Sequence, residues 1–174
     1  MSNRTSGNRF EQEFAEFLSK HGFWVHVMQQ NKSGQPADII AVKGDYHCLI
    51  DCKEVSTRAG FVLDRVEENQ RMAMTMFQNR GGQIGWFAVK YPDGVVRMIS
   101  LIAVMMAEKL GAKAISGMLA EQFMTAEEWA EITDKKAGKR QDANNCQQQD
   151  LYQGTVKRRD GMGEGQPDVS ESGV

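Results

Sequence analysis

Apolar residues recur at helical spacing near the start of the chain and then cluster in short blocks. Phe10, Phe14, Phe17 and Leu18 fall at i, i+4, i+7 and i+8, a stripe that predicts a helix over about 8–21. Five short apolar blocks read as strands: Trp24 to Met28, 38–43, 46–55, Gly85 to Tyr91 and Val95 to Ser100. Gly44-Asp45 parts the second block from the third and suits a two-residue primed hairpin turn. Pro92-Asp93-Gly94 supplies the turn between the last two. Between the two groups of strands, Val66, Gln70, Ala73 and Phe77 share a narrow helical arc. Asp64 with Glu67 reads as a capping box and Gly81-Gly82 as the stop, so a helix is expected over about 65–80. From Leu101 to about Thr133 the pattern is helical and rich in Met and Ala, with Thr125 and Glu128 forming a capping box ahead of Trp129. Those helices are expected to cover the sheet, the alternative being a dimer contact. The pattern as a whole predicts an α/β fold, a mixed sheet flanked by helices.

The chemistry lies in the hairpin. With Lys43 paired to Tyr46 across the turn, continuing the pairing outward puts Asp38 opposite Asp51. Opposed residues project to one face with Cβ atoms roughly 4.5–5.5 Å apart. Lys53, two residues on, shares that face. Two opposed carboxylates repel unless a cation lies between them, and a hard divalent ion held by one or two carboxylates plus water suits the pair. Gln70 sits in the middle of an apolar helix face, where a buried amide costs roughly 1–3 kcal/mol unless it is hydrogen-bonded. Its expected task is to bond a carboxylate or water of this site, the plainer alternative being a nearby backbone group. On the first helix Glu11 and Glu13 flank the apolar stripe on opposite sides, and either can reach a sheet edge, whereas Glu16 points away.

Pro36-Ala37-Asp38, a gap, then Asp51-Cys52-Lys53 resembles the PD-(D/E)XK nuclease signature, in its less common form with Asp as the second acid. A Glu-bearing helix upstream, the hairpin, and a Gln-bearing helix downstream follow the order of Holliday junction resolvases of the RecU and archaeal Hjc types. The resemblance covers roughly Gly7 to Ser100. It implies a restriction-endonuclease-like fold and a Mg²⁺ (or Mn²⁺) dependent endodeoxyribonuclease. Asp38, Asp51, Glu11 and the carbonyl of Cys52 would hold the metal, Lys53 would be catalytic and Gln70 supporting. Gly7 to Glu11 matches the resolvase Gly-x-x-x-Glu pattern, which favours Glu11, with Glu13 in reserve. Phe61-Val62-Leu63 resembles a segment ahead of the RecU glutamine, but Asn69 stands where RecU enzymes tend to have His. Symmetric resolution of a four-way junction implies a homodimer. Two other readings share these residues: a nuclease of the same fold acting on flap, single-stranded or duplex DNA, and a DNA-binding recombination-accessory protein that no longer cuts.

Composition bounds the picture. A chain of 174 residues, 41% hydrophobic, suits one core domain over 1–133, made of a nuclease core of about 7–100 and a helical extension over 101–133. From Asp134 onward Gly, Gln, Asn and charged residues replace apolar ones, and 134–174 is expected to be disordered. No apolar run approaches the roughly 20 residues of a membrane span, and the first residues lack the apolar core of a signal peptide, so a cytoplasmic protein is expected. Cys48, Cys52 and Cys146 are odd in number and scattered, and read as thiols of a reducing compartment. The net charge of −2 is unusual for a DNA-binding protein. It is unevenly spread: residues 1–100 hold 12 basic and 11 acidic side chains, residues 101–174 hold 9 and 12. Arg4, Arg9, Lys32, Arg58 and Arg65 are the first candidates for phosphate contact.

Overall fold

A computed structural model describes residues 3–29, 35–57 and 60–135, with side chains from Arg9 onward. Helix α1 (Asn3–Lys20) leads into β1 (Trp24–Val27), β2 (Ile39–Lys43) and β3 (Tyr46–Glu54). A two-residue strand β4 (Phe61–Val62) and a 3-10 turn (Leu63–Arg65) precede α2 (Glu68–Asn79). Then come β5 (Trp86–Lys90), β6 (Val96–Ser100), α3 (Leu101–Lys109), β7 (Ala114–Ile115), α4 (Gly117–Ala120) and α5 (126–135).

The main sheet has the order β1-β2-β3-β5-β6. All neighbours are antiparallel except β3 and β5, which run parallel because the chain crosses over through α2 between them. The hairpin register is the expected one: Lys43 faces Tyr46, Ala41 faces Cys48 and Ile39 faces Ile50. Gly44 takes a positive φ of 55° in the turn, a conformation that glycine adopts without strain.

Two layers of helix cover the sheet, and the period of two in the strands sorts residues between them. Phe10, Phe14 and Leu18 of α1 and Trp129 of α5 pack on one face against Ile39, Ala41, Cys48, Ile50, Ala88 and Met98. Trp129 is the hub of an aromatic group, stacked on Phe23 at 5.5 Å and edge-on to Tyr46 and Trp86 at 5.9 and 5.8 Å. The other face buries Leu49, Phe87, Val89 and Ile99 against Met74 of α2 and Leu101 and Val104 of α3. Phe87, Ala88 and Val89 are consecutive and all fully buried, as expected of a strand covered on both sides.

Two expectations need correction. Helix α2 does not start at Arg65: residues 63–65 form the 3-10 turn, and the cap is Glu67 rather than Asp64, because the Glu67 N–H donates to Gln70 Oε1 at 3.1 Å. The 101–133 extension is also not wholly helical. Its Ala114–Ile115 segment pairs antiparallel with Phe61–Val62, and a Cβ on Gly60 would lie 2.1 Å from the Ile115 carbonyl oxygen, so only glycine admits this approach. The Thr125–Glu128 capping box is present, with each backbone N–H donating to the other side chain, at 2.8 and 3.2 Å. No helix among the described residues is long and apolar enough to cross a membrane. Residues 136–174, which include Cys146, lie outside the described residues.

Candidate active site

Asp38 stands where β2 leaves its ladder. Its N–H donates to the Ile50 carbonyl at 3.1 Å, and its own carbonyl accepts from the Met28 N–H at 2.8 Å, so β1 and β3 both hold its backbone. Ile50 is already the partner of Ile39. Asp38 is therefore shifted one step from the Asp51 position that strict pairing assigns it, a local break of the kind that re-aims a side chain. The re-aimed carboxylate is held at both oxygens: Oδ2 accepts the Cys52 N–H at 2.7 Å and Oδ1 accepts Gln35 Nε2 at 2.5 Å.

Asp51 lies in the middle of the sheet, fully buried, on the face covered by α2. Gln70, buried on α2, donates from Nε2 to Asp51 Oδ1 at 2.5 Å, while its own Oε1 takes the Glu67 N–H that opens the helix. One side chain thus starts the helix and fixes the carboxylate. The Lys53 ammonium is 2.5 Å from Asp51 Oδ2, yet no hydrogen bond of good geometry reaches that oxygen. Burial pushes the Asp51 carboxyl up to about 7, with Lys53 opposing and Asp38 adding to the rise.

Glu11 is half-buried on α1, and its carboxyl is also raised to about 7, first by burial and then by the Asp38 charge, against the pull of Lys53. It therefore belongs to the same electrostatic group. Glu13 does not: it is bound by Arg9 at 2.8 Å and Lys90 at 3.2 Å, and those two cations hold its carboxyl below the usual range. Among the described residues no three His, Cys, Asp or Glu side chains converge into a ready metal cluster. The convergent acids are the pair Asp38 and Asp51, with Glu11 at its edge.

Cys52 contributes its N–H to Asp38, while its side chain packs toward the opposite, α1-covered core. A groove of about 740 Å³ opens beside Cys52, lined by Glu54, Arg65, Lys90 and Tyr91 among others. Of the expected DNA contacts, Arg65 lies in this groove, its guanidinium donating to the Glu54 carbonyl at 2.9 Å. Arg9 is exposed but paired with Glu13. Lys32 and Arg58 lie outside the described residues, as does the side chain of Arg4. Two residues of the neighbourhood escaped sequence reasoning. Lys90 was legible in principle, since it ends the apolar run Trp86–Lys90 and pairs with Glu54. Gln35 carried no pattern signal.

The metal-binding fit rests on this donor set. Two carboxylates lie close enough for the Asp38 charge to raise the cost of ionising Asp51, which has one oxygen lacking a well-formed hydrogen bond and its other oxygen held by Gln70 of α2. Such an arrangement suits a hard divalent ion, which takes one or two carboxylates and completes its shell with water and phosphate.

Residues 2–135 match the model of the archaeal Holliday junction resolvase (Hjc) family. Among solved structures, the chain is similar to Hjc from Archaeoglobus fulgidus, a Holliday junction resolvase from an archaeal hyperthermophile. The TM-score is 0.54 at 22% identity, covering 72% of this chain and 95% of that one, a likeness of fold. A protein of unknown function, AF1548, gives a TM-score of 0.36 at 19% identity, covering 63% and 62% of the two chains. No curated protein matches. With most of its length matched by one family model, on a sheet whose β2–β3 hairpin region carries two aspartates and a lysine, the chain belongs to the archaeal Holliday junction resolvase family, the nucleases of four-way DNA junctions.

Proposed function

We propose that this resolvase nicks DNA in a Mg²⁺- or Mn²⁺-dependent reaction at Asp38, Asp51 and Lys53, and that it works as a homodimer. The observation that carries the reading is the buried Asp51, whose Oδ2 lacks a well-formed hydrogen bond beside the Asp38 carboxylate and the Lys53 ammonium. When bound, a divalent cation would supply Lewis-acid stabilisation of the phosphate and a more acidic water. Asp38 and Asp51 would hold it, with Glu11 and the Cys52 carbonyl as the remaining ligand candidates. Lys53, a cation 14% exposed and ion-paired with Asp51, would orient the attacking water or stabilise charge developing on the phosphate oxygens. Gln70 keeps the Asp51 carboxylate from rotating. Arg65 and Lys90 line a groove along which a DNA backbone can approach.

The dimer reading draws on α3. Its Ile102, Met105 and Met106, and the Leu110 that follows its last turn, are all more than half exposed, and neighbouring α2, tied to it by Arg71–Glu108 contacts of 2.5 and 2.7 Å, adds Met72 and Met76. Large apolar side chains left exposed in this number mark an interaction surface. A second copy placed there gives the two active sites that paired nicks require.

The test is nicking of end-labelled four-way junction, linear duplex and single-stranded DNA by wild type, Asp51→Asn and Lys53→Ala, with and without Mg²⁺. Paired symmetric nicks confined to the junction, dependent on metal and lost in both variants while junction binding persists, are expected. Parental cutting rates in either variant would refute the site.

A further inference from the structure

Each catalytic aspartate is gripped by a glutamine, and the two glutamines differ in one respect. Gln70 Nε2 holds Asp51 Oδ1 at 2.5 Å and Gln35 Nε2 holds Asp38 Oδ1 at 2.5 Å. Gln70 Oε1 is closed by the Glu67 N–H. Gln35 Oε1 is buried and has no hydrogen-bond partner among the described residues. The amide cannot turn to relieve this, because rotation would set its carbonyl oxygen against the Asp38 carboxylate. The residue is also held from behind: Asn69 Nδ2, at the start of α2, donates to the Gln35 carbonyl at 3.4 Å, and Asn69 Oδ1 accepts the Gln70 N–H at 2.9 Å.

From this geometry we infer that Gln35 is a further metal-site residue, its Oε1 accepting either the divalent cation itself or a water of the cation's hydration shell. A phosphate offers only acceptor oxygens, so within the site its partner is the Lys53 ammonium and not Gln35 Oε1. A hydrated cation brings positive charge and strongly polarised O–H donors, which is what the open Gln35 Oε1 near the Asp38 carboxylate lacks. Gln35 then has two separable roles, a donor that aims Asp38 and an acceptor that completes the ligand shell.

The inference rests on the metal dependence proposed above, and Mn²⁺ titration of the full chain by calorimetry tests the two apart. Gln35→Met removes both the donor and the acceptor and should weaken Mn²⁺ binding by roughly tenfold or more, the usual effect of losing a group that supports a metal shell. Gln35→Glu removes the donor but keeps an acceptor oxygen and adds charge, so it should bind Mn²⁺ at least as tightly as wild type. Unchanged affinity in Gln35→Met would overturn the inference, and so would Gln35→Glu falling as far as Gln35→Met, since the loss would then come from the Asp38 clamp alone. If wild type took up no Mn²⁺, or Asp51→Asn took up as much as wild type, the metal site proposed above would itself fail.

Discussion

The buried Asp51 carboxyl makes the metal-free protein respond to pH in the opposite sense to an ordinary salt-bridged acid. In the folded chain its pKa is raised from 3.8 to about 7, chiefly by burial. Between those two values the folded state keeps a proton that the unfolded state has lost. Stability therefore falls as pH rises from about 4 through about 7, and above 7 the whole cost is present. A three-unit difference at 1.36 kcal/mol per unit is on the order of 4 kcal/mol, with the opposing pull of Lys53 and the added push of Asp38 already contained in it. Asp51→Asn removes this titration and leaves the hydrogen bond from Gln70 to Oδ1 in place. Urea unfolding in EDTA at pH 4.5 and pH 8 should show the variant gaining on wild type by roughly 2–4 kcal/mol between the two conditions. Saturating Mg²⁺ at pH 8 should then stabilise wild type, by about 2.7 kcal/mol at a hundredfold excess over Kd, and leave the variant where it was. Parallel stability profiles for the two proteins across this range would show that Asp51 does not titrate anomalously, and the charge argument for a cation at the site would lose its basis.

Two further outcomes test the fold and the DNA path. Trp129→Ala, which empties the centre of the aromatic group around Phe23, Tyr46 and Trp86, should cost about 3–5 kcal/mol, read as a fall of roughly 10–20 °C in Tm; a fall of only a few degrees would mean that the α1–α5 layer is not the core. Arg65→Ala should weaken junction binding and lower the slope of log Kd against log salt by about one, measured by fluorescence anisotropy, and an unchanged slope would remove the groove beside Cys52 from the DNA path.

What could be read from the chain follows from how far each group travels to reach the site. The hairpin acids are 13 residues apart in one continuous segment, and a two-residue turn sets their pairing, so Asp38, Asp51 and Lys53 were placed together by counting alternate positions. Even there the count was one step from the outcome at Asp38, because its backbone bonds are divided between Ile50 and Met28, and β1 is not part of the hairpin. Gln70 was visible as an amide on an apolar arc, though its capping of Glu67 was not: the pattern of Asp64 and Glu67 satisfies the same rule three residues earlier. The strand Ala114–Ile115 is two residues long, too short to carry a period, and exists because Gly60 lets the backbone of Phe61–Val62 come close.

Glu11 and Gln35 show where pattern reasoning stops and packing takes over. Glu11 and Glu13 are equivalent on a helical wheel, one on each side of the Phe10–Phe14 stripe. What separates them is how α1 lies across the sheet: Glu13 meets Lys90 on β5 and is neutralised, while Glu11 meets Asp38 and Lys53 and is raised to about 7. A carboxyl raised by burial and a like charge is destabilised as an anion, whereas one paired with cations is already satisfied. A cation arriving between Asp38 and Asp51 therefore gains more from Glu11 than from Glu13. Gln35 belongs to no element, so neither a period of two nor one of 3.6 bears on it, and its role appears only once Asp38 has turned toward it. A residue drawn to a site by a neighbour's re-aimed side chain is invisible to periodicity, and Gln35, with an acceptor left open among the described residues, is one of these.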